Sequence, residues 1–368
     1  MEKSYKYRIY PNKKQRELLA KTFGCCRFVY NYFLGKSSKD YKQNNISYSA
    51  YSASKELSRL KQEFEWLNEP DKCALQNSLR DLESAYKMFF KGFGYPKFKS
   101  KRTHRYSYRT QNYNKGTAIQ VVDKKIKLPK LGWVKYKDKQ IPQGRILNAT
   151  VSQVPSGKYY VSICCTEVYF EGYPKTNKFV GIDLGIKDFA ITSNGDKFDN
   201  PKYLEKSLNK IKKLHIALNR KTRGGENWKK ARVKLARAYE KVTNQRLDHR
   251  QKLSTKLIIE YDILCVEDLK SNELTKDNLC STNRNINDAS WSTFINELKY
   301  KANWYGKTVI KVDQYYASSQ ICHCCGYKYS GVKDLSVRNW ICPSCNAKLD
   351  RDVNAAINIF NEGMKQVS

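Results

Sequence analysis

The chain has 368 residues, of which 40% are hydrophobic, enough for roughly two or three domains with ample cores. Its 69 Lys and Arg against 35 Asp and Glu leave a net charge of +34, which calls for a polyanionic partner, nucleic acid before an acidic membrane. No run of about 18 apolar residues, no amphipathic anchor and no lipidation motif is visible. The opening residues Met1 to Arg8 lack an apolar signal core, so neither membrane insertion nor secretion is expected.

Residues 3–10 alternate as a strand and stop at Pro11. Helical spacing follows at Leu18, Leu19, Phe23, Cys26, Val29 and Phe33, and a second helix is predicted from Tyr51 to Leu67. A third begins near Asp71, after Pro70, and ends at Gly92 and Gly94. Strand-like runs then appear at Ala118–Val122, Lys125–Leu128, Trp133–Tyr136, Ile146–Val154 and Tyr159–Phe170, separated by Pro and Gly. The pattern predicts that the first strand and these later ones close one β-barrel, with residues 12–92 as a helical insertion.

After Gly172-Tyr173-Pro174 an α/β unit is predicted. Phe179 to Gly185 reads as a buried strand, and a meander continues through Phe189–Thr192, the Asn194-Gly195 turn and Lys197-Phe198. From Lys202 to Lys256 there are 18 Lys and Arg against four Asp and Glu, with apolar residues at helical spacing. A buried strand at Tyr261–Val266, a helix over 289–304, a strand at Thr308–Val312 and a last helix over 352–362 complete the pattern.

Four of the twelve cysteines form the most specific motif. Cys322-x2-Cys325 is followed, after sixteen residues, by Cys342-x2-Cys345. That spacing suits a tetrahedral zinc site, and four thiolates leave no open position, so the metal is expected to be structural. His323 and Cys324, between two ligands, leave the ligand choice slightly open. Cys25-Cys26 and Cys164-Cys165 are adjacent pairs, and Cys73, Cys265 and Cys280 stand alone. This is no disulfide framework and fits a reducing compartment.

Three acids stand at informative places. Asp183 interrupts an apolar strand, Glu267 ends another, and Asp352 opens the last helix. Each alone fits a structural role: a turn acid, a solvated strand end, a helix cap. Their order suits a ribonuclease-H-like fold, in which adjacent central strands and the last helix bring three carboxylates together. Phosphodiester hydrolysis by two Mg²⁺ (or Mn²⁺) ions about 3.5–4 Å apart requires such oxygen ligands. Asp183 takes the bridging position, with Glu267 and Asp352 each holding one ion. The tract Tyr95 to Arg109 interleaves Lys97, Lys99, Lys101, Arg102 and Arg105 with aromatics, a pattern that reaches phosphates and stacks bases. His104, His215 and His249 have no ligand-like spacing.

Several segments resemble the TnpB family: Tyr5 to Asn12, Phe23 to Asn31, Pro96 to Lys101, Gly181-Ile-Asp-Leu-Gly185, Val266-Glu-Asp-Leu269, Ser318 to Cys322 and Asp350-Arg-Asp-Val-Asn-Ala-Ala356. The resemblance runs through nearly the whole chain. It implies an RNA-guided DNA endonuclease of a transposon, relative of the type V CRISPR effectors. The guide RNA would derive from the transposon end and the target would be double-stranded DNA. A monomer with one RNA is expected, a dimer being left open, in the cytoplasm and nucleoid of a prokaryote. The implied organisation is a wedge β-barrel (residues 1–11 and 95–172), a helical recognition insertion (12–94), a RuvC nuclease (173–317 and 349–368) and an inserted zinc ribbon (318–348). The resemblance gives Asp183, Glu267 and Asp352 the catalytic roles and places Arg338 and Asn354 near the site. Tyr48, Tyr51, Gln76 and Asn77 become candidates for reading a short target-adjacent motif, since Asn and Gln suit adenine edges. A non-cleaving RNA-guided regulator and a plain zinc-ribbon DNA-binding factor are the alternatives.

Overall fold

The structure, a computed structural model, describes residues 1–103, 106–113, 116–269, 288–334 and 336–366; His104, Arg105 and Cys280 lie outside the described residues. The chain divides into two units, Met1–Tyr169 and Phe170–Ser368.

In the first unit β1 (Lys3–Tyr10) buries Tyr5, Tyr7 and Ile9 on alternate positions, the period-2 signature of a half-buried strand. Asn12 then starts α1 (Lys13–Asn44) through a reciprocal capping box with Gln15. Next come α2 (Ala50–Glu63), a 3₁₀ turn (Glu65–Asn68) and α3 (Lys72–Phe89). The single helix expected up to Leu67 breaks at Phe64 (φ −116°, ψ 83°), where Phe64 and Trp66 turn onto Phe28, with ring centroids 5.5 and 4.9 Å away.

The sheet continues with β2 (Tyr106–Gln111), β3 (Gln120–Val122), β4 (Lys125–Leu128), β5 (Gly132–Tyr136), β6 (Arg145–Gln153) and β7 (Tyr159–Thr166). Its order is β2-β6-β7-β1-β5-β4-β3, and every pairing is antiparallel. The expected strands thus share one sheet, split in sequence by three helices. Ladder closure into a barrel is not formed among the described residues, because β2 and β3 remain its two edges. The three-residue β3 offers little edge for a further ladder.

The second unit opens with β8 (Phe179–Asp183), β9 (Asp188–Thr192) and β10 (Lys197–Asp199), an antiparallel meander. Two long basic helices follow, α4 (Tyr203–Asn219) and α5 (Glu226–Glu260), packed on a small core of Ile211, Leu235 and Val242. β11 (Ile263–Glu267), α6 (Trp291–Tyr305) and β12 (Thr308–Val312) extend the sheet to β10-β9-β8-β11-β12, with β8, β11 and β12 parallel. A short hairpin of β13 (Asn339–Ile341) and β14 (Lys348–Asp350) leads into α7 (Arg351–Met364).

Alternation sorts the sheet's two faces. Val180, Ile182, Leu264 and Val266 pack on Leu253 and Leu257 of α5 and on Phe294 and Leu298 of α6. Cys265, Ile310 and Val312 face the other way, against Ile359 of α7. A Cβ added at Gly181 would collide with the Ala356 carbonyl and with Phe360. Only glycine therefore lets the α7 backbone rest directly on β8. Among the described residues, no helix is long and apolar enough to cross a membrane.

Candidate active site

Asp183 and Glu267 close β8 and β11. In the parallel register Val266 lies opposite Ile182, so the two acids stand level one step further on. By the same alternation both are on the α7 face. Asp352, in the first turn of α7, completes the trio. All three line one cleft of about 560 Å³, together with Asp188, Arg338 and Arg351.

The electrostatics mark two of these carboxylates, Asp183 and Glu267, as poorly compensated. Burial first, then the neighbouring Asp352 carboxylate, pushes the Asp183 carboxyl up to about 7, against the pull of Arg351, the Leu184 N–H and Arg338. Burial, then the Asp183 charge, pushes Glu267 up to about 8. Asp352 thus adds to burial in raising Asp183, and Asp183 adds to burial in raising Glu267. An all-oxygen donor set of this kind fits hard divalent ions such as Mg²⁺ or Mn²⁺. Among the described residues, Cys322, Cys325, Cys342 and Cys345 also gather, their sulfurs all within 4.8 Å of one another.

The acid on α7 is held from several sides. Asp350 caps the helix, its Oδ1 accepting from the backbone N–H groups of Asp352 and Val353, each at 3.0 Å. Lys197 of β10 donates to the other Asp350 oxygen at 2.7 Å. Arg338 reaches Asp352 with Nη1 at 3.1 and 3.4 Å from its two oxygens.

The metal knuckle is built from two similar turns. Each Cys-x2-Cys is followed by a residue with positive φ, Gly326 (76°) after Cys325 and Asn346 (57°) after Cys345. The turn N–H groups bond back to the carbonyls of Cys322 and Cys342, both at 2.9 Å. Across the site Cys322 and Cys345 are 3.7 Å apart and Cys325 and Cys342 3.6 Å. A tetrahedron of Zn–S bonds of about 2.3 Å has edges of about 3.8 Å, so the four thiols fit zinc. His323 turns its Nδ1 to Asn354 at 3.0 Å instead, and Cys324 is exposed outside the quartet.

The expected nucleic-acid residues separate by burial. In the first unit a groove of about 810 Å³ is lined by Arg27, Asn77, Lys97, Phe98, Lys99 and Arg109, among others. Lys97, Lys99, Lys101 and Arg102 are exposed, with the Lys99 ammonium 3.9 Å from the Tyr30 ring centroid. Gln76 is exposed, and so is Tyr51, at 73%. Asn77 is only 3% exposed and donates its amide to the Arg109 carbonyl at 2.8 Å. Tyr48 donates its hydroxyl to the Leu79 carbonyl at 3.1 Å. These last two are committed to the fold, whereas Gln76 and Tyr51 stand at the surface. Sequence reasoning missed Asn358, buried one turn after Asn354; the signal was present as Asn-x3-Asn, two amides one turn apart.

Three family models match the chain: "Helix-turn-helix domain" over residues 1–45, "Probable transposase" over 162–278 and "Cas12f1-like, TNB domain" over 291–359. A protein of Streptomyces pristinaespiralis, named provisionally as an RNA-guided DNA endonuclease, is 35% identical over 99% of this chain and 90% of its own length. InsQ of Escherichia coli K12, similarly named, is 31% identical over 98% of this chain and 92% of its own. Among solved structures, the Cas12f1–sgRNA–target DNA complex contains a chain with a TM-score of 0.63 at 13% identity, covering 98% of this chain and 99% of that one; that likeness is one of fold. The length and level of the sequence identities establish that the chain belongs to the TnpB family.

Proposed function

We propose that the chain is an RNA-guided DNA endonuclease of a transposon, acting as a monomer with one guide RNA from the transposon end. It cuts double-stranded target DNA beside a short adjacent motif, both strands in turn, at a single ribonuclease-H-like (RuvC) site. The observation that carries the reading is the convergence of Asp183, Glu267 and Asp352 on one cleft. The named activities of the full-length relatives support it. In this reading residues 1–11 and 95–172 form the wedge, 12–94 the recognition insertion, 173–317 and 349–368 the nuclease, and 318–348 the zinc ribbon.

Asp183, Glu267 and Asp352 would hold two Mg²⁺ (or Mn²⁺) ions. Bound there, the ions supply an ionisable water as nucleophile and offset charge on the leaving oxygen. The protein's own part is to keep the oxygens on one face through sheet register, to hold Asp352 at a capped helix start, and to offer Arg338 to the phosphate once Asp352 is engaged. The basic surfaces take the heteroduplex by its backbone while base pairing reads the sequence. The test is cleavage of a plasmid with a chosen RNA guide in Mg²⁺. Cutting is expected only where guide and target match, and only without EDTA. Cutting that ignores the guide, or survives EDTA, overturns the reading.

A further inference from the structure

We propose that Asn354 and Asn358 are positioning residues that couple the zinc knuckle to Asp352, so that loss of the knuckle's shape weakens divalent-ion binding in the cleft. The inference rests on the reading of that cleft given above. Asn354 and Asn358 are 1% and 3% exposed and lie one turn apart on the same face of α7. The Asn358 amide donates to the carbonyls of Ile321 at 2.6 Å and Ser318 at 2.8 Å. The Asn354 amide donates to Ile321 at 2.8 Å, and its Oδ1 accepts the His323 backbone N–H at 3.0 Å. Ile321 and His323 flank the ligand Cys322. The two asparagines therefore grip the backbone on both sides of a zinc thiolate.

Both amides are buried, and the Ser318 and Ile321 carbonyls are the partners they face. Leaving such a buried group unpaired is costly, so unravelling of the 318–323 segment works against the seat of α7. Asp352 lies two residues before Asn354 on the same rigid helix turn. Its backbone is tied to the ribbon again by the Arg351 N–H, which donates to the Arg338 carbonyl at 2.8 Å. Any shift of the ribbon is thus passed to the acid, while Asp183 and Glu267, fixed in the sheet, stay put.

The experiment measures Mn²⁺ binding by electron paramagnetic resonance on zinc-loaded protein, with zinc content and thermal melting followed in parallel. In Asn358→Leu the four thiolates and the zinc are expected to remain, while Mn²⁺ affinity falls about tenfold, the lower end of the loss for residues that orient a metal ligand. Asn358→Ala, which removes both of its bonds without adding bulk, is read the same way if Asn358→Leu does not fold. Removing zinc from the unaltered chain should weaken Mn²⁺ binding to a similar extent. Unchanged Mn²⁺ affinity in a folded, zinc-loaded variant overturns the coupling, even if the melting temperature drops. Mn²⁺ binding that is indifferent to Asp183→Asn in the unaltered chain sinks the cleft reading itself, which separates the two failures.

Discussion

The four thiols of the knuckle come from two short turns, one inside the Ile321–Lys328 bridge and one at the tip of the β13–β14 hairpin, each turn closed by its own backbone hydrogen bonds. The three acids of the cleft come from two strand ends and a helix start, at positions 183, 267 and 352. The knuckle is shaped by its local sequence and nearly matches a zinc tetrahedron before any metal is considered. The cleft exists only because β8 and β11 are in register and α7 lies on β8 at Gly181. One site therefore tests local chain geometry, and the other tests the tertiary fold.

Breaking the cleft alone should give the largest effect. Asp183→Ala is expected to lower guided cleavage by about 1,000-fold, roughly 4 kcal/mol of transition-state stabilisation, with guide-RNA affinity within twofold of the unaltered chain in a filter-binding assay. Cleavage at the original rate would remove Asp183 from the site. Breaking the knuckle comes next. Cys342→Ser should abolish stoichiometric zinc, because structural zinc is part of the folding free energy of such modules, and should open residues 318–348 to limited proteolysis. A zinc-free variant that resists the protease would show that the hairpin holds without metal.

Gly181→Ala probes what the two sites share. The added methyl forces α7 off β8, and overpacking of this kind costs about 1–3 kcal/mol. A thermal melt should show the drop, and unchanged stability would mean that α7 yields freely. The smallest effect is electrostatic. Asp183 and Glu267 hold their protons more tightly in the fold than in the unfolded chain, so the folded state binds more protons and stability falls as pH rises. The metal-free protein should melt at a lower temperature near pH 8 than near pH 5, the loss beginning above the ordinary carboxylate values of 3.8 and 4.5 and ending as pH passes about 7 to about 8. Asp183→Asn should flatten part of that slope, and Mg²⁺ should offset it. An equal slope in both proteins would assign it to other groups.

What could be read in the sequence follows the same division. The knuckle was legible because its ligands and turn residues are contiguous. β8 and β11 were legible because an acid closing a run such as Val180 to Ile182, or Leu264 to Val266, breaks an apolar pattern. β2 was not, because its inward positions are Tyr108 and Thr110. Thr110 is accommodated only through the Asp71 carboxylate, which accepts its hydroxyl at 2.6 Å. A polar inward position paired to a residue 39 places away looks in sequence like a basic, aromatic surface tract. The commitment of Asn77 to Arg109, and of Asn354 and Asn358 to the ribbon, was hidden for the same reason: both depend on contacts between distant segments.

The ribosome reaches the three acids in a fixed order, and the helix of Asp352 follows the knuckle. A nascent chain that has passed residue 267 already displays the basic α4 and α5 and two of the carboxylates, yet lacks the third. On the reading proposed above, the means of holding nucleic acid is thus in place before the means of cutting it. The cutting centre waits for the ribbon to fold and present the carbonyls on which α7 docks.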